Sequence, residues 1–295
     1  MLQYDILIIG AGASGLAAAS AACESGCSSV LVVDSNEYPG GILMQCLHNG
    51  FGAGKTGPEF CADLLKQFYS HKARLMLETE VIKANEDKTA LLSTKSGLIT
   101  VSFKILIMAT GCMEIPFGAL GISGTRPEGI YSAGYVQRQI NINKCFPDDN
   151  DDNIVVIGCG DLGMIVSGTL AAQGKKVISV VERNSSYSGL ARNYRKYIQS
   201  NNINVLFNTT VLEVYGDKHI EAVKLNDGSI ICCSTLITAA GLSPDRQLTF
   251  YIGEKPWIKF CGNCSKVHSI IESAVDESEI TAKEAVMEIE DDRYF

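Results

Sequence analysis

Nowhere in its 295 residues does the chain carry an apolar run approaching the roughly 20 residues of a membrane span, so no integral membrane segment is expected. Basic runs are missing too, and the formal net charge is −8. Nucleic acid and acidic membranes are poor partners for such a surface. The first strand-like segment opens almost at Met1, leaving no room for a signal peptide, and the expected location is cytoplasmic. Composition is otherwise that of an ordinary globular protein. The length predicts a sizeable core shared by two domains of about 100–170 residues.

The chain also lacks the marks of a disulfide framework. Its 11 cysteines are odd in number and scattered, in a chain with no sign of secretion. Cys23, Cys61, Cys232 and Cys233 sit among apolar or small residues and read as reduced core filler. Cys261-Gly-Asn-Cys264 has the spacing of a redox or metal pair, but no second pair and no histidine ligands accompany it. No metal is expected, and dithiol chemistry at this pair is the lesser reading.

What is present is a doubled glycine signature. Ile6-Leu-Ile-Ile-Gly10-Ala-Gly12-Ala-Ser-Gly15 and Ile154-Val-Val-Ile-Gly158-Cys-Gly160-Asp161-Leu-Gly163 each follow a short aliphatic strand and open a helical stretch. In such a motif the first glycine turns the chain, the second lets backbone approach a pyrophosphate, and the third lets helix pack on strand. The phosphates then meet free N–H groups and the positive end of the helix dipole. One copy alone is weak evidence. Here both copies have the strand, the helix and the acid that should close the next strand: Asp34 follows Gly15 at the same interval as Glu182 follows Gly163. An acid there accepts ribose hydroxyls and repels a 2′-phosphate. An α/β fold with glycine turns and no ligand is the competing reading, and this context argues against it. Two such sites imply two dinucleotides with electrons passing between them.

Strand and helix patterns alternate from the start, which predicts a parallel sheet with crossover helices. Strands are expected over 4–9 and 29–34 around a helix over 13–25. Tyr38 to Gly54 reads as a glycine-containing loop. A helix is expected over Thr56–Lys72, capped by Thr56, with Pro58 in its first turn and a stripe of Phe60, Leu64, Leu65 and Phe68. Short strands follow near 74–77, 80–84, 89–93 and 97–103, and then the apolar run Ile105–Gly111. Residues 112–131 read as a domain crossing, Tyr131–Ile142 as a helix, and Pro147–Asn153 as a solvated acidic loop. The second half repeats the plan: strand 177–182, a helix near 189–200, strand 204–207, and Thr235–Gly241, which echoes Ile105–Gly111. From Ser269 an amphipathic helix is expected, with Glu288–Phe295 frayed.

The fingerprint pair and the twin strands ending Ala-x-Gly resemble the pyridine nucleotide–disulfide oxidoreductase superfamily, over nearly the whole chain. The resemblance implies an α/β fold of two Rossmann-like dinucleotide-binding domains, the NAD(H) domain inserted in the FAD domain. Met1 to about Met113 and about Gly241 to Phe295 would bind FAD, and about Glu114 to Ala240 would bind NAD(H). It also implies roles. Gly10, Gly12, Gly15, Asp34 and Gly41 would hold the FAD pyrophosphate and ribose, and Glu80-Val81 would sit by the adenine. Ala109, Thr110 and Gly111 would border the phosphate region. Gly262 and Asn263 would meet the ribityl chain, with Asn in place of the family's Asp. Gly158, Gly160, Asp161, Gly163 and Glu182 would serve the NAD(H) site, and Gly241, where the FAD domain resumes, is a further cofactor-binding candidate. Within the superfamily, Gly40-Gly-Ile-Leu-Met-Gln-Cys46-Leu-His48-Asn-Gly-Phe51-Gly, Thr56-Gly-Pro-Glu59, Thr110-Gly-Cys-Met-Glu and Gly124-Thr-Arg-Pro-Glu-Gly-Ile are similar to the FAD/NAD subunit that accompanies bacterial glycerol-3-phosphate dehydrogenases. Related subunits occur with sarcosine oxidase, opine oxidase and proline dehydrogenase. The implied partner is a dehydrogenase subunit of the glycerol-3-phosphate or amine type; homo-oligomerisation is left open.

Two departures bear on function. An ungapped reading puts Leu43 and His48 where flavin-domain disulfide reductases carry their C-x-x-x-x-C, and residues 114–240 contain no C-x-x-C. Electrons would then leave the flavin by another route. In addition, only Leu242–Cys261 spans the gap where the family has a strand-rich segment. Cys46 and His48 are the polar candidates expected near the flavin: Cys46 as a lone redox thiol or a packed neighbour, His48 as a flavin-tuning group, a proton relay or a loop-ordering hydrogen bond. Arg183 would favour a 2′-phosphate but Glu182 opposes it, so NADH is the expected nucleotide. The leading expectation is an FAD-dependent NAD(H) oxidoreductase. A thioredoxin-reductase-like disulfide reductase using Cys261/Cys264, and a non-catalytic nucleotide-binding partner subunit, are the alternatives.

Overall fold

The computed structural model describes residues 2–147 and 153–291. Most of the expected acidic loop (148–152) and the end of the tail (292–295) lie outside the described residues. The chain divides into two compact units: residues up to Met113 with those from Ser243 onward, and Glu114–Leu242.

The first unit is built on a five-stranded parallel sheet in the order Ile258–Phe260, Ile105–Met108, Ile6–Ile9, Val30–Val33, Arg74–Met76. The three middle strands are buried throughout, which is why they read as unbroken aliphatic runs. Alternation still sorts their side chains. Ile6, Ile8, Ile105 and Ile107 face a helical layer, while Leu7, Ile9, Leu106 and Met108 face a second sheet built on Glu80–Ala84, Thr89–Thr94 and Gly97–Ser102. The helical layer comprises Ala13–Glu24, Gly57–Tyr69 and Ile271–Asp291. The first is close-packed because Ala17, Ala18, Ala19, Ala21 and Ala22 face the core. The second starts where expected because Thr56 and Glu59 form a reciprocal capping box: the Thr56 hydroxyl accepts the Glu59 N–H (3.5 Å) and the Glu59 carboxylate accepts the Thr56 N–H (2.8 Å). The terminal helix does not fray at Glu288 but continues to Asp291, because Val286 and Ile289 are buried against the core.

The second unit repeats this plan. Its parallel sheet runs Ile130–Ser132, Thr235–Thr238, Ile154–Ile157, Val177–Val181, Val205–Leu206, with a four-stranded sheet of Ser123–Gly124, Val211–Gly216, Ile220–Leu225 and Ile230–Cys232 on one face. On the other face lie helix Asp161–Ala172 and the segments around it. Two expected helices differ in detail. Ile130 and Tyr131 suit a pleated strand and join the sheet beside Thr235–Thr238, so helix begins only at Ala133, capped by Ser132, and ends in a wide turn over Gln139–Asn143. The helix near 189–200 is three short turns, Ala191–Asn193, Tyr194–Ile198 and Gln199–Asn201.

Candidate dinucleotide sites

In each unit the chain goes from the strand before the glycine motif to strands on one side of it, then returns to a strand on its other side. This reversal makes a crevice at the carboxyl ends of the strands, the place where open α/β sheets bind ligands. The glycine motif fills that crevice in both.

In the first unit Gly10 has φ +104°, and a Cβ there would lie 2.4 Å from the Ala109 carbonyl oxygen. A Cβ on Gly15 would lie 1.8 Å from the Gly10 carbonyl oxygen. Those two glycines are dictated by the protein itself. Gly12 is different: a Cβ there meets no protein atom within 4 Å. It caps helix Ala13–Glu24 without any side-chain hydrogen bond, and the first turn has no acid. Free N–H groups therefore face open space, the arrangement a pyrophosphate needs. Asp34, 8% exposed, accepts the Ala11 N–H (2.7 Å) with one oxygen, and the Asn36 N–H and Asn36 Nδ2 (both 2.8 Å) with the other.

The second unit reproduces the pattern bond for bond. Gly158 has φ +101°, and its Cβ would lie 2.2 Å from the Ala239 carbonyl oxygen; the Cβ of Gly163 would lie 2.1 Å from that of Gly158. A Cβ on Gly160 would meet only Ser188 Oγ, at 3.4 Å. Glu182, 4% exposed, accepts the Cys159 N–H (2.8 Å), the Asn184 N–H (2.9 Å) and Asn184 Nδ2 (2.7 Å). The motif acid–x–Asn thus fixes the glycine turn in both copies. Sequence reasoning missed Asn36 and Asn184, although their identical spacing from the acids was a usable signal. Asp161 Oδ1 accepts the Leu190 N–H and Asn193 Nδ2, both at 2.7 Å.

Other expected residues of the first unit gather on the same crevice. Gly41 (φ +53°) lies against Gly12, its Cβ position 3.3 Å from the Gly12 Cα, and Gly40 donates its N–H to the Ala11 carbonyl (2.7 Å). Gly262 (φ +60°) abuts the start of the first nucleotide helix, where a Cβ would lie 1.9 Å from Ser14 Oγ. Asn263 keeps its acceptor but spends it on the His268 N–H (2.9 Å), and Nδ2 donates to Cys112 Sγ (3.6 Å). The Thr110 hydroxyl donates to the Asp245 carbonyl (2.6 Å), and the Asp245 N–H returns to the Gly111 carbonyl (3.0 Å). Val81, on a strand of the second sheet, is half-buried against the core that this sheet shares with the parallel sheet. Beside it Glu80 lines an open cleft of about 530 Å³ with Ser35, Asn36, Glu37, Glu78, Ser93 and Thr94. In the second unit Gly241 (φ +135°) accepts the Ile115 N–H at 3.0 Å.

Cys46 is buried, and desolvation pushes its thiol up to about 12; at neutral pH it is a protonated thiol. His48 is half-buried with its ring 5.1 Å from Phe51, in a loop fastened where the Gly52 N–H donates to Glu272 (2.9 Å). Cys261 and Cys264 are fully buried. Burial pushes Cys261 up to about 12 and raises Cys264, whose thiol donates to the Asp245 carbonyl at 3.1 Å. Cys159 is likewise pushed up to about 12 by burial and then by Glu182. Among the described residues no group of three or more His, Cys, Asp or Glu side chains is placed to hold a metal ion, and no helix is long and apolar enough to cross a membrane.

A family profile for pyridine nucleotide-disulphide oxidoreductases matches residues 4–256. The chain belongs to that family. Its members are oxidoreductases that use FAD and NAD(P)H, and the open glycine turns, uncapped helix starts and clamped acids described above fit two such dinucleotides. The chain is 27% identical over 228 residues to a thioredoxin reductase of Treponema pallidum, covering 76% of this chain and 70% of that protein. It is 25% identical over 286 residues to an opine oxidase subunit of Agrobacterium tumefaciens (86% and 56% covered), and 26% identical over 275 residues to the alpha subunit of sarcosine oxidase of Rhizobium meliloti (85% and 26%). It thus spans little more than half of one oxidase subunit and about a quarter of the other. The T. acidophilum thioredoxin reductase crystal structure shares the fold, with TM-score 0.76 and 21% identity over 98% of this chain and 99% of that one. So does L-proline dehydrogenase from P. horikoshii, with TM-score 0.70 and 15% identity over 100% of this chain and 56% of that one.

Proposed function

We propose that the first unit holds FAD and the second NADH, and that the chain is the NADH-linked flavin subunit of a glycerol-3-phosphate or amine dehydrogenase. Bound together, the two cofactors supply the hydride chemistry themselves. The protein's share is to bind, orient and exclude. Gly12 and Gly160 leave room for the pyrophosphates, while Asp34 and Glu182 present fixed carboxylates to ribose hydroxyls and disfavour a 2′-phosphate. Ala109–Gly111 and Gly262–Asn263 border the flavin nucleotide, with Glu80 and Val81 at its adenine end. His48 is the candidate for tuning the flavin or carrying its protons.

The observation that carries this reading is the conjunction of two complete glycine cradles with sealed thiols. Cys46, Cys261 and Cys264 are buried and held protonated, so a thiolate relay, which disulfide reduction requires, finds no support among them. Electrons then pass to a partner's redox centre. The likeness to opine oxidase and sarcosine oxidase subunits, each by name one component of a larger oxidase, supports the same view.

The test is a visible spectrum before and after anaerobic NADH, followed by turnover with an artificial dye and with thioredoxin plus a dithiol reporter. Flavin bands near ~450 nm that bleach with NADH, and more slowly with NADPH, are expected, with dye reduction but no dithiol reduction. Efficient thioredoxin reduction would favour the thioredoxin-reductase-like reading. A colourless protein that FAD cannot reconstitute would favour a non-catalytic nucleotide-binding partner.

A further inference from the structure

The two cradles match in turn geometry, in the clamped acid and in the Asn that follows it, but differ at the residue on which the nucleotide helix begins. After the capping glycine that residue is Ala13 in the first unit and Asp161 in the second. We propose that Asp161 is a positioning residue that keeps the pyridine nucleotide exchangeable: its carboxylate opposes the pyrophosphate at the second helix N-terminus, where the first helix presents no opposing charge. The inference rests on the assignment of the second cradle to NADH.

A helix start attracts phosphate through unpaired N–H groups and the positive end of the dipole. A carboxylate on the first helical residue occupies that same end and works against a second anion there. Asp161 is not free to swing away, because Oδ1 holds the Leu190 N–H and Asn193 Nδ2 at 2.7 Å. Those donors are neutral, and among the described residues no Lys, Arg or His pairs with Asp161. The other acid of the cradle, Glu182, has its counterpart in Asp34 and so does not distinguish the two sites. In the first unit the neighbour pressed on the helix start is Gly262 beside Ser14, which adds no charge. The contrast suits the two cofactors: FAD stays through many turnovers, whereas NADH must arrive and NAD⁺ must leave in each.

The experiment compares NAD⁺ binding to the oxidised holoprotein, by calorimetry, for the unmodified chain and for Asp161→Asn. Asn keeps the Oδ1 acceptor for Leu190 and Asn193 and removes the charge. Asp161→Ser, with a shorter acceptor, should move in the same direction. The expected result is NAD⁺ binding tighter by on the order of ten-fold at low salt, from one charge facing a doubly charged pyrophosphate in a solvated site. The gain should shrink as salt screens it, the KM for NADH should fall more than kcat, and FAD content should not change. Equal or weaker NAD⁺ binding in both variants would overturn the proposal and leave Asp161 as a tie for residues 190–193. If the unmodified holoprotein bound neither NAD⁺ nor NADH, the assignment of the cradle would fail, and this inference with it.

Discussion

Gly12→Ala should separate cofactor binding from folding. An added Cβ meets no protein atom within 4 Å, and the backbone there (φ −75°, ψ −172°) is open to any residue. Gly→Ala at a compatible position gains about 0.4–1 kcal/mol through the unfolded chain, while Ala is a worse helix cap than Gly by a comparable amount. The fold should therefore melt within a degree or two of the parent. The methyl group instead occupies the space a pyrophosphate needs. Losing one or two charge-assisted hydrogen bonds from backbone N–H groups costs about 1.5–3 kcal/mol each, so FAD affinity should fall at least roughly ten-fold. Gly15→Ala is the contrast: its Cβ would sit 1.8 Å from the Gly10 carbonyl oxygen, and the backbone must move, at a cost of ~3 kcal/mol or more. The assay is thermal unfolding of both apoproteins beside flavin retained after gel filtration and the Kd for added FAD. Unchanged FAD affinity in Gly12→Ala would refute the cradle. Gly160→Ala is the same experiment in the second unit and should spare FAD while weakening NADH.

Three further outcomes are expected. Native protein treated with iodoacetamide at pH 8 should be alkylated at the exposed Cys145 and Cys232 but not at Cys46, Cys261 or Cys264; peptide mass spectrometry checks this, and rapid labelling of Cys261 would contradict a thiol held up at about 12. Glu182→Gln removes the charge that disfavours a 2′-phosphate, so the NADH-to-NADPH ratio of kcat/KM should drop by about ten-fold, whereas an unchanged ratio would assign discrimination elsewhere. Arg246→Met keeps contact with the Phe260 ring but deletes donors to the Cys264 carbonyl (2.9 Å) and the Ser265 carbonyl (2.6 Å). Flavin should dissociate several-fold faster while NAD⁺ binding is unaffected, and stopped-flow flavin fluorescence would expose the opposite.

Much of this is legible in the sequence because the motif glycines, the aliphatic strands and the closing acids answer to local requirements. Gly10 and Gly15 are forced by backbone contacts close to a single strand–turn–helix unit, and Asp34 and Glu182 stand at ends of strands that aliphatic runs announce. The Thr56 cap is equally local. What escapes depends on contacts distant in sequence. No pattern around Asn263 shows that its amide is divided between Cys112 and the His268 backbone. Nothing in the spacing of Cys261 and Cys264 tells that both are fully buried. Tyr131 and Ser132 run on into a helical pattern, and their place beside Thr235–Thr238, a tertiary fact, puts them in a strand. The Asn36 and Asn184 clamps are within reach, since a comparison of the two copies position by position exposes them.

Between Leu242 and Cys261, residues 245 and 246 help the first unit's crevice keep its shape. The Asp245 backbone receives the Thr110 hydroxyl and the Cys264 thiol on one carbonyl and returns its N–H to Gly111. Arg246 ties the Cys264 and Ser265 carbonyls while its guanidinium lies 4.4 Å from the Phe260 ring centroid. The loop after strand Ile105–Met108 and the loop after strand Ile258–Phe260 are therefore tied together by these two residues. Both loops end on the first glycine turn, through Ala109 at Gly10 and Gly262 at Ser14. A few side-chain-to-carbonyl bonds hold these loops together. Such a clasp is more easily opened than strand pairing, because Arg246 is exposed and its bonds compete with water. The same reasoning makes flavin retention, rather than global melting, the property most sensitive to changes at Asp245 and Arg246.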